Sequence, residues 1–189
     1  MPPGHFRAEG RAATGGIDIA YRPMAPEDLP LFAGWLEQPH WQEWWGEPLT
    51  EIGYVRDMLE GRDTTRPYIF LIDGNPAGYI QMWFARDQQD SDFVREHPWL
   101  TELPAEAVGV DLSIGDAARL SRGIGSAALR GFADELRRCG YGTIIIDPAP
   151  ANMRAVRSYR KAGFKPVPYL EGRTNGVLIM QFEPENKAQ

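Results

Sequence analysis

The sequence predicts a mixed α/β fold in one domain, with a central sheet that holds two parallel core strands, 107–114 and 143–147, and is flanked by helices. Residues 107–164 read as strand, glycine-punctuated turn, long helix, strand and second helix. Such a run joins parallel strands through a crossover helix. The 189 residues suit one domain with one sizeable core. A hydrophobic fraction of 43% against 24% charged residues places the chain among globular proteins.

Residues 1–16, MPPGHFRAEGRAATGG, are rich in Gly, Ala and Pro and lack the continuous apolar run of a secretory signal. They are expected to be a loose tail ahead of a domain over 17–184. Ile17 to Arg22 alternates as a strand. A helix follows with Asp28 as N-cap, since Pro30 is tolerated only in a first turn, and Leu29, Phe32, Ala33 and Leu36 make its apolar face. Thr50 to Leu59 predicts a further helix, with Thr50 as its cap. Pro67–Asp73 and Ala77–Arg86 form a hairpin around Asp73-Gly74-Asn75-Pro76, with Tyr79, Gln81 and Trp83 on one face.

Residues 87–104 hold Asp87, Asp90, Asp92, Glu96 and Glu102 and are expected to be a solvated loop, placed to act as a rim over a binding site. After the core, Val167–Leu170 and Val177–Phe182 read as a closing antiparallel pair.

Cys139 is the single cysteine, so no internal disulfide is possible, and a reducing, cytoplasmic setting is expected. No apolar run approaches the roughly 18 residues of a membrane span. A net charge of −6 argues against nucleic acid and suits a cationic partner. No metal cluster is expected, and the chain is taken as a monomer or homodimer.

The turn Arg122-Gly123-Ile124-Gly125-Ser126 opens the long helix. Glycines allow close backbone approach, and a helix start offers free N–H groups and the positive end of a dipole. That is an anion site, most often for phosphate. It is neither a dinucleotide fingerprint nor a P-loop. Asp111 interrupts the apolar strand VGVDLSI, and a buried acid needs a partner or a role. Asp147 ends the neighbouring strand, where α/β sheets bind ligands, although an N-cap for the next helix would also explain it. Trp41, Trp44 and Trp45 crowd together beside Glu43, as core or as an aromatic wall for a cation.

The turn, together with Asn152-x-x-Ala155-x-x-x-Tyr159-x-x-x-Gly163-Phe164, resembles the two coenzyme-binding segments of the GNAT acyltransferase superfamily. Leu120 stands where the superfamily carries Gln or Arg, with Arg119 and Arg122 close by. Glu43-Trp44-Trp45-Gly46, Gly78-Tyr79-Ile80-Gln81 and Asp147-Pro148-x-Pro150-x-Asn152 are similar to the aminoglycoside 6'-N-acetyltransferase branch.

The resemblance implies a sheet splayed between the core strands 107–114 and 143–147, and transfer of acetyl from acetyl-coenzyme A to a primary amine by direct attack. The donor would be held by Leu112, Ile114, Arg119, Arg122, Gly123, Ile124, Gly125, Ser126, Asn152, Ala155 and Tyr159. Asp111 would take the amine proton, and Tyr159 would give one to the departing sulfur. A main-chain N–H near Asp111 or Leu112 would face the thioester oxygen. The acceptor, a cationic small molecule, would touch Trp44, Trp45, Glu43, Gln81, Asp111 and Asp147. Another polyamine, a siderophore precursor or a peptide amine remains open as acceptor, as does a non-catalytic acyl-coenzyme A sensor.

Overall fold

The computed structural model describes residues 11–14 and 17–183. Among them, eight strands form one sheet: β1 (Arg11–Thr14), β2 (Ile17–Pro23), β3 (Arg66–Ile72), β4 (Asn75–Phe84), β5 (Val108–Ile114), β6 (Ile144–Ile146), β7 (Phe164–Pro166) and β8 (Met180–Phe182). Their spatial order is β1-β2-β3-β4-β5-β6-β8-β7. Only β5 and β6 pair in parallel; the other pairs are antiparallel. The β3–β4 hairpin turns at Asp73 (φ 49°) and Gly74 (φ 78°), the two left-handed residues such a turn demands.

Helices cover both faces. The α5 helix (Ile124–Arg138) and α6 (Met153–Ala162) take one face. There Ala128, Leu129 and Phe132 of α5 pack on Tyr68, Ile80, Met82, Val108 and Val110. Phe132 is fully buried between Tyr21 and Tyr68, each 5.3 Å away by ring centroid. Truncating such a ring to Ala costs about 3–5 kcal/mol. The buried Tyr21 hydroxyl donates to the Ala128 carbonyl at 2.6 Å, which pins α5 along the sheet.

The opposite face carries α1 (Leu29–Leu36), α2 (Pro39–Gln42) and α3 (Pro48–Leu59). Phe32, Trp35, Trp41 and Val55 bury there against Ile69 and Tyr79. Trp41 is wholly inside, and its indole N–H donates to the Ile114 carbonyl at 2.9 Å.

The β5–β6 pairing positions the site. The strands meet only at Val108↔Ile144 and Gly109↔Ile145, and from Val110 onward they part. The Val108 N–H reaches the Thr143 carbonyl at 3.0 Å, and the Gly115 N–H reaches Ala77 at 2.9 Å. Backbone groups alternate along a strand, so even residues of β5 aim their main chain at the β6 side and odd residues at β4. Val110 and Leu112 therefore turn peptide groups into the open wedge. Ile144 and Ile146 belong to the α5–α6 core and Ile145 to the opposite face, so Asp147, next in alternation, shares the face of Asp111.

Several sequence expectations change. Arg11 to Thr14 pairs with β2 instead of trailing loosely; the rest of that expected tail lies outside the described residues. Asp28 does not cap α1. Its carboxylate turns back to the Arg22 guanidinium at 2.6 and 2.7 Å and to the Ala25 N–H at 2.9 Å, and the Arg22 contact holds its pKa below the usual carboxylate value. Glu47, not Thr50, caps α3 by accepting the Thr50 N–H at 2.9 Å, with Pro48 as the first helical residue.

The acidic segment folds as α4 (Ala85–Gln89) and two 3₁₀ turns, Asp92–Arg95 and Pro98–Glu102. Trp99, Leu100 and Leu103 bury beneath it while Asp90, Asp92, Glu96 and Glu102 stay exposed. Glu102 pairs with Arg173. The closing strands are β7 and β8, because Pro166 and Pro168 end the first of them before Val167–Leu170 can extend it. No helix of the described residues is long and apolar enough to cross a membrane.

Candidate active site

The wedge opens into a cavity of about 560 Å³. At one end lies the start of α5. Gly123 has φ 80°, a left-handed conformation that glycine adopts without steric cost. The first helical bond runs from the Ala127 N–H to the Gly123 carbonyl at 3.0 Å. The N–H groups of Ile124, Gly125 and Ser126 thus precede the ladder and are left for a ligand. The Ser126 hydroxyl does not compete, since it donates to the Gly123 carbonyl at 2.9 Å.

A Cβ on Gly125 would meet Ser158 Oγ at 3.3 Å and Ile114 Cδ1 at 3.5 Å, so a larger side chain would fill the gap between β5 and α6. Arg154, Arg157 and Lys161, spaced to share one face of α6, line the same cavity. Lys161 Nζ is 3.8 Å from the place of a Cβ on Gly123. Backbone donors, a helix dipole and three cations together make a cradle with the chemistry to hold an anion.

At the other end the groups are acidic and aromatic. Asp111 on β5, Asp147 after β6 and Glu51 on α3 line the cavity, with Trp44, Trp45 and His40 beside them. Trp45 leans on Trp41 and Tyr79, at centroid distances of 4.9 and 5.6 Å. The Asp111 carboxylate accepts from Gln81 Nε2 at 2.9 Å, and the Trp83 indole lies on the same face of the sheet, across from Gly109. Gln81 in turn accepts from the Tyr79 hydroxyl at 2.6 Å.

Burial raises the Asp111 pKa, opposed by Gln81 and Trp83. Burial, and then the charge of Asp111, pushes Asp147 well above the usual aspartate value. Burial raises Glu51 as well, with Asp111 a smaller contributor. Three carboxylates that burial keeps from ionising freely are poised to hold a cation, because a nearby ammonium favours their charged forms.

Tyr159 on α6 is buried at the cavity wall. Burial first, then Asp111 and Asp147, raise its pKa, so it stays a phenol at neutral pH. Asn152 caps α6 through the Ala155 N–H at 3.0 Å, which removes the capping explanation for Asp147.

The cavity thus gathers Leu112, Ile114, Gly123, Gly125, Ser126, Asn152, Ala155, Tyr159, Trp44, Trp45, Asp111 and Asp147 from the sequence-predicted set. Five expected residues fall elsewhere. Glu43 is exposed just past α2 and does not line the cavity, because the turn that directs Trp44 and Trp45 inward sends it out. Gln81 supports Asp111 from behind. Ile124 belongs to the core beneath the cradle. Arg122 is exposed and outside the lining. Arg119 also lies outside it, in the turn leading to Gly123, and its Nη1 is buried without a hydrogen-bond partner among the described residues. None of residues 85–107 lines the cavity, so the acidic segment is no rim of it.

Sequence reasoning missed Glu51, His40 and the α6 cations. The cations were findable from their i, i+3, i+7 spacing. Glu51 carried no signal, because its role depends on how α3 docks. Among the described residues no cluster of His, Cys, Asp and Glu could hold a metal ion.

Comparison with known proteins agrees with this geometry. Residues 25–171 match the family model of the acetyltransferase (GNAT) domain. The aminoglycoside N(6')-acetyltransferase type 1 of Klebsiella pneumoniae is 30% identical over 154 residues, 78% of this chain and 74% of that protein. Crystal structures of AAC(6')-Ib, with ribostamycin and coenzyme A and with coenzyme A and kanamycin, superpose with TM-scores of 0.71 and 0.70 at 27% and 26% identity. Each covers 88% of this chain, and 93% and 95% of the other. A glycine-opened helix on one side of a splayed parallel pair and carboxylates on the other accord with that match, and the chain belongs to the GNAT acetyltransferase domain family.

Proposed function

We propose that this protein moves an acetyl group from acetyl-coenzyme A to the 6'-amine of an aminoglycoside, without a covalent enzyme intermediate. One observation carries the reading: the same wedge joins a diphosphate cradle to three converging carboxylates. The related enzymes named above are aminoglycoside acetyltransferases, and a polycationic acceptor suits the acidic end.

The residues fit the donor. The gap beside Gly125 is one a Cβ would narrow, and the orphaned Arg119 Nη1 sits in the turn leading to the cradle. Gly123, Gly125 and Ser126 would hold the diphosphate, with Arg154, Arg157 and Lys161 adding charge. Acetyl-coenzyme A, when bound, supplies an activated acyl thioester. The Leu112 N–H faces the wedge and the Asp111 N–H faces β4, so Leu112 is the main-chain donor available to a developing oxyanion.

Alkylamines are mostly protonated near neutral pH. The Asp111 carboxylate binds the ammonium and takes its proton, while Glu51 and Asp147 hold further positive charge. Tyr159 keeps its phenolic proton and presents it from α6 as a hydrogen-bond donor. Cys139 is not a nucleophile here. It is exposed at the far end of a 15-residue helix, about 22 Å from the cradle at 1.5 Å per residue.

Coenzyme A release, followed with a thiol reagent in the presence of kanamycin or tobramycin, tests the reading, with mass spectrometry locating the acetyl group. Turnover at the 6'-amine is expected. Turnover of spermidine but of neither drug would replace the proposed acceptor.

A further inference from the structure

Trp83 and Gly109 face each other across β4 and β5, in the position next to the Gln81–Asp111 pair and on the same face. A Cβ at Gly109 would lie 2.0 Å from indole Cε2 and Cζ2 and 2.6 Å from Nε1. The indole therefore lies flat over residue 109, and only glycine leaves it that room. Glycine inside a strand weakens it and marks close approach by another group. Here that group is the Trp83 indole, whose Nε1 lies over Gly109 beside Asp111 on the same face.

We propose that Trp83, seated by Gly109, is a positioning residue for Asp111. Its N–H holds the carboxylate from one side while Gln81 holds it from the other, and the remaining lone pairs are left to aim at the acceptor ammonium. This rests on the reading of Asp111 as the group that receives the amine.

Both donors favour the ionised carboxylate. They work against the groups that face Asp111: Glu51 from α3, Tyr79 from β4, Asp147 after β6 and Tyr159 from α6. His40 from α2 and the cations Arg154, Arg157 and Lys161 line the same cavity. Without the indole donor the balance tips toward the protonated acid.

Trp83→Phe keeps a ring and removes the N–H. Aspartate labelled with ¹³C at Cγ is titrated by NMR in the unliganded protein, with Asp111→Asn assigning the resonance. The Asp111 titration should move up by about one pH unit, a tenfold gain in proton affinity. The acid limb of kcat/KM for kanamycin should move with it, so that the deficit shrinks at high pH. Gly109→Ala, which displaces the ring without removing it, should give the same upward move, and it carries the test if Trp83→Phe does not fold. A purely structural contribution would lower Tm and scale activity equally at every pH. A titration and acid limb left at wild-type positions would overturn the proposal. Full activity of Asp111→Asn would instead sink the reading of Asp111, and the positioning role with it.

Discussion

At the α5 end of the wedge, the groups aimed inward are backbone N–H donors and cationic side chains; at the α3 end they are carboxylates and indoles. The first end is made by local geometry, a left-handed Gly123 and an uncapped helix start, and its charge comes from one helix face. The second is assembled from four separate elements: α2, α3, β5 and the end of β6. A site built from backbone is relaxed in the free protein, because helix ends are unsatisfied in any case. A site built from clustered carboxylates is strained until its cation arrives. The two ends should therefore fail in different ways.

Asp111→Asn is expected to show the largest effect. Removing a general base costs about 10²–10⁴ in rate, so kcat/KM for the amine should fall by that order. Acetyl-coenzyme A affinity, measured by calorimetry, should stay within about twofold, since among the described residues the Asp111 side chain is hydrogen-bonded to Gln81 and not to the cradle. Loss of donor affinity in this variant would show that the two ends are not separable.

Gly125→Val attacks the opposite end. Its side chain would occupy the space bounded by Ser158 Oγ and Ile114 Cδ1. A rise of about 10- to 100-fold in KM for acetyl-coenzyme A is expected, equivalent to about 1.4–2.8 kcal/mol. The Kd for kanamycin in the absence of donor should not change. Weakened drug binding would mean that the cradle and the acidic pocket share a wall.

The same contrast decides what the sequence could reveal. The cradle is contiguous: Gly123, Gly125 and Ser126 in one turn, Asn152, Ala155 and Tyr159 along one helix. Its chemistry follows from spacing. Asp111 and Asp147 were legible too, as acids inside or at the end of apolar runs. Glu51 was not, because a glutamate in the first turn of an amphipathic helix is ordinary until α3 is docked on the sheet over Ile69 and Tyr79. Glu43 misled for the converse reason, since adjacency in Glu-Trp-Trp-Gly does not fix which side chain turns inward. The acidic segment 87–104 misled through composition. Its charges do stay in water, but Trp99 and Leu100 sit in a 3₁₀ turn that ends at the buried Leu103, and its short pitch leaves no 3.6-residue pattern to read.

Glu51→Gln sharpens the acidic side of the comparison. If Glu51 holds a second ammonium, KM should rise about fivefold for kanamycin, roughly 1 kcal/mol by the usual conversion. For a small monoamine it should hardly move. Steady-state assays with the two acceptors, repeated at low and high salt, separate this from a change in folding. An equal loss for both acceptors would place Glu51 behind Asp111 as a support instead.

The smallest expected effect runs in the opposite direction. Burial and the charge of Asp111 keep the Asp147 pKa well above the ordinary aspartate value. Between about pH 4, where an unfolded aspartate ionises, and that raised value, the native chain holds a proton that the unfolded chain has released. Stability must then fall as pH rises through the window. Asn cannot ionise and does not repel Asp111. Asp147→Asn should therefore melt about 2–4 °C above wild type at pH 8 without ligand, a gain of about 1 kcal/mol for a chain of this size. At pH 4, where the native aspartate is already protonated, the gain should vanish. Its KM for the aminoglycoside should rise at the same time, because a charge that faces the acceptor has gone. Calorimetric scans at the two pH values measure the difference. If the variant melts with wild type at both, Asp147 is not strained in the free protein, and the acidic end is as relaxed as the cradle.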